Sequence, residues 1–164
     1  MAEIYGTSGN DNLVGTPDSD TFHPLLGQDT VDGLGGSDTL VVDYSGFEFV
    51  DPYGGAAVPD RPRYAVTSSG GSFAGAVSGG GTVTFSNVEH LQFALSGNPD
   101  EFVIDASAVA LGATVRVDGG RGYDRLRADL SALASFDLSV GSGPNSASFT
   151  VVNFEEFALD LTAG

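Results

Sequence analysis

From Gly6 the chain keeps a nine-residue beat through GTSGNDNLV, GTPDSDTFH, PLLGQDTVD and GLGGSDTLV. The sixth residue is aspartate each time (Asp11, Asp20, Asp29, Asp38). The eighth is large and apolar (Leu13, Phe22, Val31, Leu40). The fourth is Gly9, Gly27 or Gly36 in three units, and Asp18 in the second. A period of nine fits neither a helical face nor a single alternating strand, so it marks a repeated supersecondary unit. Three residues around each apolar position make a short strand. The six before it turn the chain through backbone regions that glycine admits. Two units then complete one coil with a strand on either side, and coils stack at about 4.8 Å. On this reading Asp11 and Asp29 share one edge, one coil apart, and Asp20 and Asp38 share the other.

The template returns in full at GGRGYDRLR (Gly119 to Arg127), with Asp124 and Leu126. A weaker copy at GNPDEFV keeps Asp100 and Phe102. The shared pattern G-G-x-G-x-D-x-U-x, with U apolar, resembles the calcium-binding nonapeptide of the RTX (repeats-in-toxin) family. Pro24 and Leu25 depart from it in the third unit and Asp18 in the second, so those turns are expected to be distorted and their metal occupancy is in question. The resemblance implies an all-β chain: a right-handed parallel β-roll or β-helix (β-solenoid) with short glycine-rich calcium-binding turns. It also implies a secreted, extracellular bacterial protein exported by a type I route. The metal candidates are Asp11, Asp20, Asp29, Asp38, Asp124, Gly9, Gly27, Gly36, Asp18 and Asp100. Stacked carboxylates one coil apart repel unless a cation lies between them, and Ca²⁺ bound at about 2.4 Å to each oxygen fits the gap. The alternative for every such aspartate is an Asx-turn that closes on its own backbone. Asp124 also has Arg121, Arg125 and Arg127 nearby in sequence to neutralise it.

Charge narrows the function classes. The chain has 22 Asp and Glu against six Arg and no Lys, a net charge of −16 in 164 residues. Nucleic acid and anionic membrane surfaces are poor partners for such a chain. The absence of cysteine excludes disulfides and thiolate metal sites. No run approaches the ~18 apolar residues of a membrane span. The opening MAEIYGTSGN lacks the basic and apolar regions of a Sec-type signal peptide.

The chain reads as two units, 6–96 and 97–164, expected to form one continuous solenoid. GTVTFSNVEHLQFAL resembles ASFTVVNFEEFALDL, sharing Asn87-Val88-Glu89 and Asn153-Phe154-Glu155. The asparagines are read as turn corners and Glu89 and Glu155 as outward-facing strand residues, with a role as calcium ligands as the alternative. Asp43 and Ser45 align with Asp129 and Ser131. The Gly-, Pro- and Ser-rich stretch 51–80 is expected to form a loop and hairpin on one edge.

No catalytic constellation is present: His23 and His90 stand outside any H-E-x-x-H pattern, and there is no G-x-S-x-G elbow. Calcium-dependent folding of a structural module within a larger secreted protein is the leading function. Two others stay open. A carbohydrate-binding or adhesin module would use Tyr53, Arg61, Arg63 and Tyr64, with glycans or neighbouring repeats as partners. A β-helix polysaccharide lyase or epimerase would use Arg116, Arg121, Arg125 and Arg127. The bland role for Arg125 and Arg127 is pairing with Asp118 or Asp129.

Overall fold

A computed structural model describes residues 1–46, 63–66, 74–78, 81–106, 114–131, 137–139, 143–145 and 149–161. The nonapeptides and the residues just before them form five short strands that alternate between two sheets. β1 (Glu3–Tyr5), β3 (Thr21–His23) and β5 (Thr39–Asp43) join one sheet, and β2 (Asn12–Val14) and β4 (Gln28–Asp32) join the other. Parallel pairing sets Phe22 beside Leu40 and Leu13 beside Val31. The coil is therefore eighteen residues, as the doubled period requires.

The first sheet continues with β9 (His90–Ala94), β11 (Thr114–Asp118) and β15 (Phe149–Val152), in the order β1-β3-β5-β9-β11-β15. Every pair in it is parallel. The second sheet adds β6 (Arg63–Val66), β7 (Ala74–Ser78), β8 (Thr82–Ser86), β10 (Glu101–Ile104), β12 (Arg125–Asp129) and β16 (Glu156–Asp160). Its order is β16-β12-β10-β6-β7-β8-β4-β2. A small antiparallel pair, β13 (Asp137–Ser139) with β14 (Gly143–Asn145), forms a two-stranded sheet of its own beside β15. The fold is all-β and dominated by parallel sheets.

Alternation along each strand sends one set of side chains inward. Leu13, Phe22, Val31, Leu40, Phe102 and Leu126, the eighth residues of their repeats, are all buried, and residues of both sheets form one cluster. Phe93 and Phe102 meet across it with ring centroids 5.2 Å apart. Each such side chain contributes about 1.5–3 kcal/mol by leaving water.

The strands of the Gly-rich segment lie inside the second sheet, where an edge position was expected. β8 pairs parallel with β4, β6 pairs parallel with β10, and β7 runs antiparallel between β6 and β8. An inserted antiparallel strand satisfies the facing N–H and C=O rows of both neighbours, which two separated parallel strands would leave open. Tyr64 on β6 is fully buried and stacked on Tyr44 at 5.8 Å. It therefore belongs to the core and not to an exposed binding face. Tyr53, Arg61 and the Arg63 side chain lie outside the described residues.

Arg125 and Arg127 project from the outer face of β12, but their acids are not Asp118 or Asp129. Arg125 reaches Glu156 at 3.3 Å and Glu101 at 3.9 Å, and Arg127 reaches Glu101 at 4.0 Å. In-register pairing puts both glutamates directly beside Arg125 on the neighbouring strands. Such surface pairs contribute about 0–1 kcal/mol each.

Candidate metal centre

Among the described residues, the turns from the first sheet to the second lie on one edge, and the returns on the other. Asp11 and Asp29 end successive turns on the first edge, and Asp20 and Asp38 do so on the second. The contact between coils is the same on both. The backbone N–H of Asp11 donates to Asp29 Oδ1 at 2.9 Å, and that of Asp20 donates to Asp38 Oδ1 at 2.7 Å. Asp100 donates in the same way to Asp124 Oδ1 at 2.7 Å. Each carboxylate thus caps the coil before it and fixes the stacking register.

The other carboxylate oxygen divides the turns into two kinds. Asp11 Oδ2 accepts the N–H and hydroxyl of Thr7 at 2.6 and 2.9 Å. Asp20 Oδ2 accepts those of Thr16 at 2.6 and 2.8 Å, and its Oδ1 accepts Ala2 N–H at 2.7 Å. Asp100 is held likewise by Ser96. Four residues before Asp29 and Asp38 the chain carries Leu25 and Leu34, each in the left-handed region with φ of 66° and 65°. Among the described residues Asp29 Oδ2 and Asp38 Oδ2 are buried with no hydrogen-bond partner.

The departures at Pro24 and Leu25 do not distort the third turn. Leu25 and Gly27 adopt the same pair of positive φ values as Leu34 and Gly36, 132° at Gly27 against 119° at Gly36. Gly9 sits in a Thr7-capped turn, its N–H donating to Thr7 Oγ1 at 3.1 Å. Asp18 is exposed, and its own N–H pairs with Thr16 Oγ1. A left-handed leucine costs on the order of 1 kcal/mol. Leu34→Asn, which tolerates this region, should raise the midpoint of thermal unfolding by a stability increment of about 0.5–1 kcal/mol. A lowered midpoint would show that the exposed Leu34 side chain matters more than its backbone.

Burial pushes the Asp29 carboxyl above its usual range against the opposing Asp11 N–H, and the Asp11 charge adds to the rise. Burial also raises Asp38, opposed by the Asp20 N–H and reinforced by the charges of Glu89 and Asp20. Asp100 is pushed up to about 6 by burial, partly offset by Ser96. At Asp20 burial is outweighed by the Thr16 and Ala2 donors and by the chain's amino terminus, so its carboxyl is lowered. A buried carboxylate with a bare oxygen beside another acid is the environment a hard divalent cation satisfies. The donor set at Asp29 and Asp38 therefore fits Ca²⁺. Among the described residues no three acidic or imidazole side chains gather into a metal cluster, so the remaining ligands would be main-chain carbonyls and water.

Glu89 and Glu155 were expected to face outward. Both are exposed, yet each folds back to accept a backbone N–H: Asp38 donates to Glu89 Oε2 and Asp124 to Glu155 Oε2, both at 2.8 Å. They occupy the place of an aspartate one coil further on. The acids thus run Asp20, Asp38, Glu89 on one edge and Asp100, Asp124, Glu155 on the other. The signal available in the sequence was the repeated Asn-x-Glu corner. Asn87 and Asn153 are left-handed, with φ of 52° and 58°. Their side-chain amides donate to Asp32 and Asp118 at 2.8 and 2.7 Å. His23 stacks on Tyr5 and bonds Glu3, and His90 bonds Ser37.

Residues 5–40 match the family model of the RTX calcium-binding nonapeptide repeat in four copies. This segment is an RTX repeat array. No curated protein and no solved structure matches the chain. The RTX array contains Asp11, Asp20, Asp29 and Asp38, whereas Glu89, Asp100, Asp124 and Glu155 lie beyond it. Among the described residues no helix is long and apolar enough to cross a membrane.

The raised carboxyls give the metal-free fold a definite pH dependence. Asp100 holds its proton more tightly folded, near 6, than at the ordinary 3.8. Its contribution is therefore fully present below about pH 4 and is lost as pH rises through about 6. Asp20, lowered, acts oppositely and only below its usual range. In EDTA the strand signal lost near pH 7 should recover in part as pH falls from 7 to 5, with about 1.4 kcal/mol of that stability coming from Asp100. In calcium the trend should weaken or reverse, because protons compete with the ion. Parallel pH profiles in the two conditions would contradict this.

Proposed function

We propose that the chain is a calcium-dependent structural module of a larger secreted bacterial protein, wound as a right-handed parallel β-roll or β-helix. In this reading units 6–96 and 97–164 form one continuous stack. Ca²⁺ binds between coils at the Asp11/Asp29 and Asp20/Asp38 pairs, with Asp100 and Asp124 serving the second unit and the glycine turns at Gly9, Gly27 and Gly36 supplying carbonyls. The observation that carries the reading is the pair of bare, buried oxygens, Asp29 Oδ2 and Asp38 Oδ2, inside turns of an RTX array. RTX repeats are typical of secreted bacterial proteins, and a type I route suits a chain that stays unfolded in calcium-poor cytoplasm and folds outside. Ion binding then becomes folding free energy. Extracellular calcium modules bind at roughly 10⁻⁴ to 10⁻³ M, which suits such a switch.

Equilibrium dialysis of the full chain tests this. Calcium should bind saturably, magnesium weakly, and Asp29→Ala should lose at least one ion. No uptake of calcium at millimolar concentration would remove the reading.

A further inference from the structure

The RTX array ends at residue 40, and its last acid faces no further repeat. Asp38 meets Asn87-Val88-Glu89 instead, 51 residues on, across the whole inserted segment. Asp38 is fully buried. Its Oδ1 accepts Asp20 N–H, and its Oδ2 has no partner among the described residues. Glu89 brings a second carboxylate to the same corner through its 2.8 Å bond from Asp38 N–H. The left-handed turn at Asn87 lays that residue's carbonyl over Gly33. A Cβ on Gly33 would collide with the Asn87 carbonyl oxygen and would lie 2.5 Å from Asp38 Oδ2. Both oxygens therefore lie against the Gly33 α-carbon, an approach that only a residue without a side chain permits.

The geometry points to a Ca²⁺ site outside the nonapeptide pattern, held by the Glu89 carboxylate, the Asn87 carbonyl and Asp38 Oδ2, an oxygen that this ion shares with the one proposed for the Asp20/Asp38 pair. This rests on the calcium-module reading and extends it to residues beyond the array. Two carboxylates and a peptide oxygen are hard donors suited to calcium, and water completes its six to eight positions. An ion here ties the end of the array to the strand β9 that resumes the first sheet, closing the intervening segment into a loop. The entropy of that closure falls on the bound ion, so calcium would select the sheet order in which β9 lies beside β5. The second unit repeats the arrangement on the opposite edge. A Cβ on Gly119 would collide with the Asn153 carbonyl and lie 3.0 Å from Asp124 Oδ2, and Glu155 accepts Asp124 N–H.

The test is the calcium count of the full chain, with Ca²⁺ alone as the probe, for wild type, Glu89→Gln and Glu155→Gln. Glutamine keeps an acceptor for the aspartate N–H and removes the charge. Each variant should bind about one ion fewer than wild type while the other ions remain. Unchanged stoichiometry and affinity in Glu89→Gln would overturn the site and leave the RTX array's calcium reading intact. Absence of calcium binding in wild type would overturn both. Should Glu89→Gln fail to fold, Glu89→Asp decides: it should keep the full count with weakened affinity for one ion, and a curve superimposable on wild type would refute the site.

Discussion

Removing calcium with EDTA near pH 7 should abolish most of the β-sheet circular dichroism, and about 1 mM calcium should restore it while magnesium does not. Two features of the chain oppose a metal-free fold at that pH. The net charge is −16, and the raised carboxyls of Asp29, Asp38 and Asp100 lie buried among it. An ionised carboxylate buried without full pairing costs several kcal/mol, against a typical total stability of 5–15 kcal/mol for a domain. At about 1 mM calcium and a dissociation constant near 10⁻⁴ M, each ion contributes roughly 1.4 kcal/mol. Two or three ions together contribute about 3–4 kcal/mol, enough to decide a marginally stable fold. Magnesium, smaller and reluctant to lose water, should not substitute. A spectrum unchanged by EDTA would mean that the apolar stack of Phe22, Leu40, Leu91, Phe93 and Phe102 holds without metal.

Gly27→Ala should be severely destabilising where Gly9→Ala is nearly neutral, although both glycines hold the fourth place of a repeat. Gly27 has φ of 132°, a value that residues with a side chain rarely adopt. A Cβ there would also collide with the carbonyl of Gly9, one coil away, and lie 3.2 Å from Asp29 Oδ1. Backbone strain and overpacking against a main-chain atom together cost about 2–5 kcal/mol. At Gly9 the nearest atom is the Thr7 hydroxyl at 3.6 Å, an ordinary contact. Thermal unfolding in calcium should separate the two variants by about 5–15 °C for a chain of this size. Equal midpoints would show that the two turn types are not distinct.

The coil itself was legible because its cause is local. A period of nine with one apolar residue per unit dictates strand length, coil length and which residue turns inward, and the burial of Leu13, Phe22, Val31 and Leu40 follows. The split between turn types was also written in the sequence, at the second place of each repeat. Thr7 and Thr16 can cap their aspartate with N–H and hydroxyl, whereas Leu25 and Leu34 cannot offer a hydroxyl. The place of Glu89 was harder to read. Its partner is 51 residues distant, and only strand order brings them together. The same holds for Tyr64: a Gly- and Ser-rich neighbourhood suggests a surface loop, yet pairing of β6 with β10 turns that tyrosine into the core. Local composition does not encode which strands pair across a long insertion.

A crystal structure of the full chain grown in millimolar calcium, with anomalous data to mark the ions, bears most directly on the bond between rungs. The account predicts density for Ca²⁺ within about 2.4 Å of Asp29 Oδ2 and of Asp38 Oδ2, with Asp11 and Asp20 on the adjoining coils. Finding those oxygens held only by water or protons, with no ion on either edge, would contradict it.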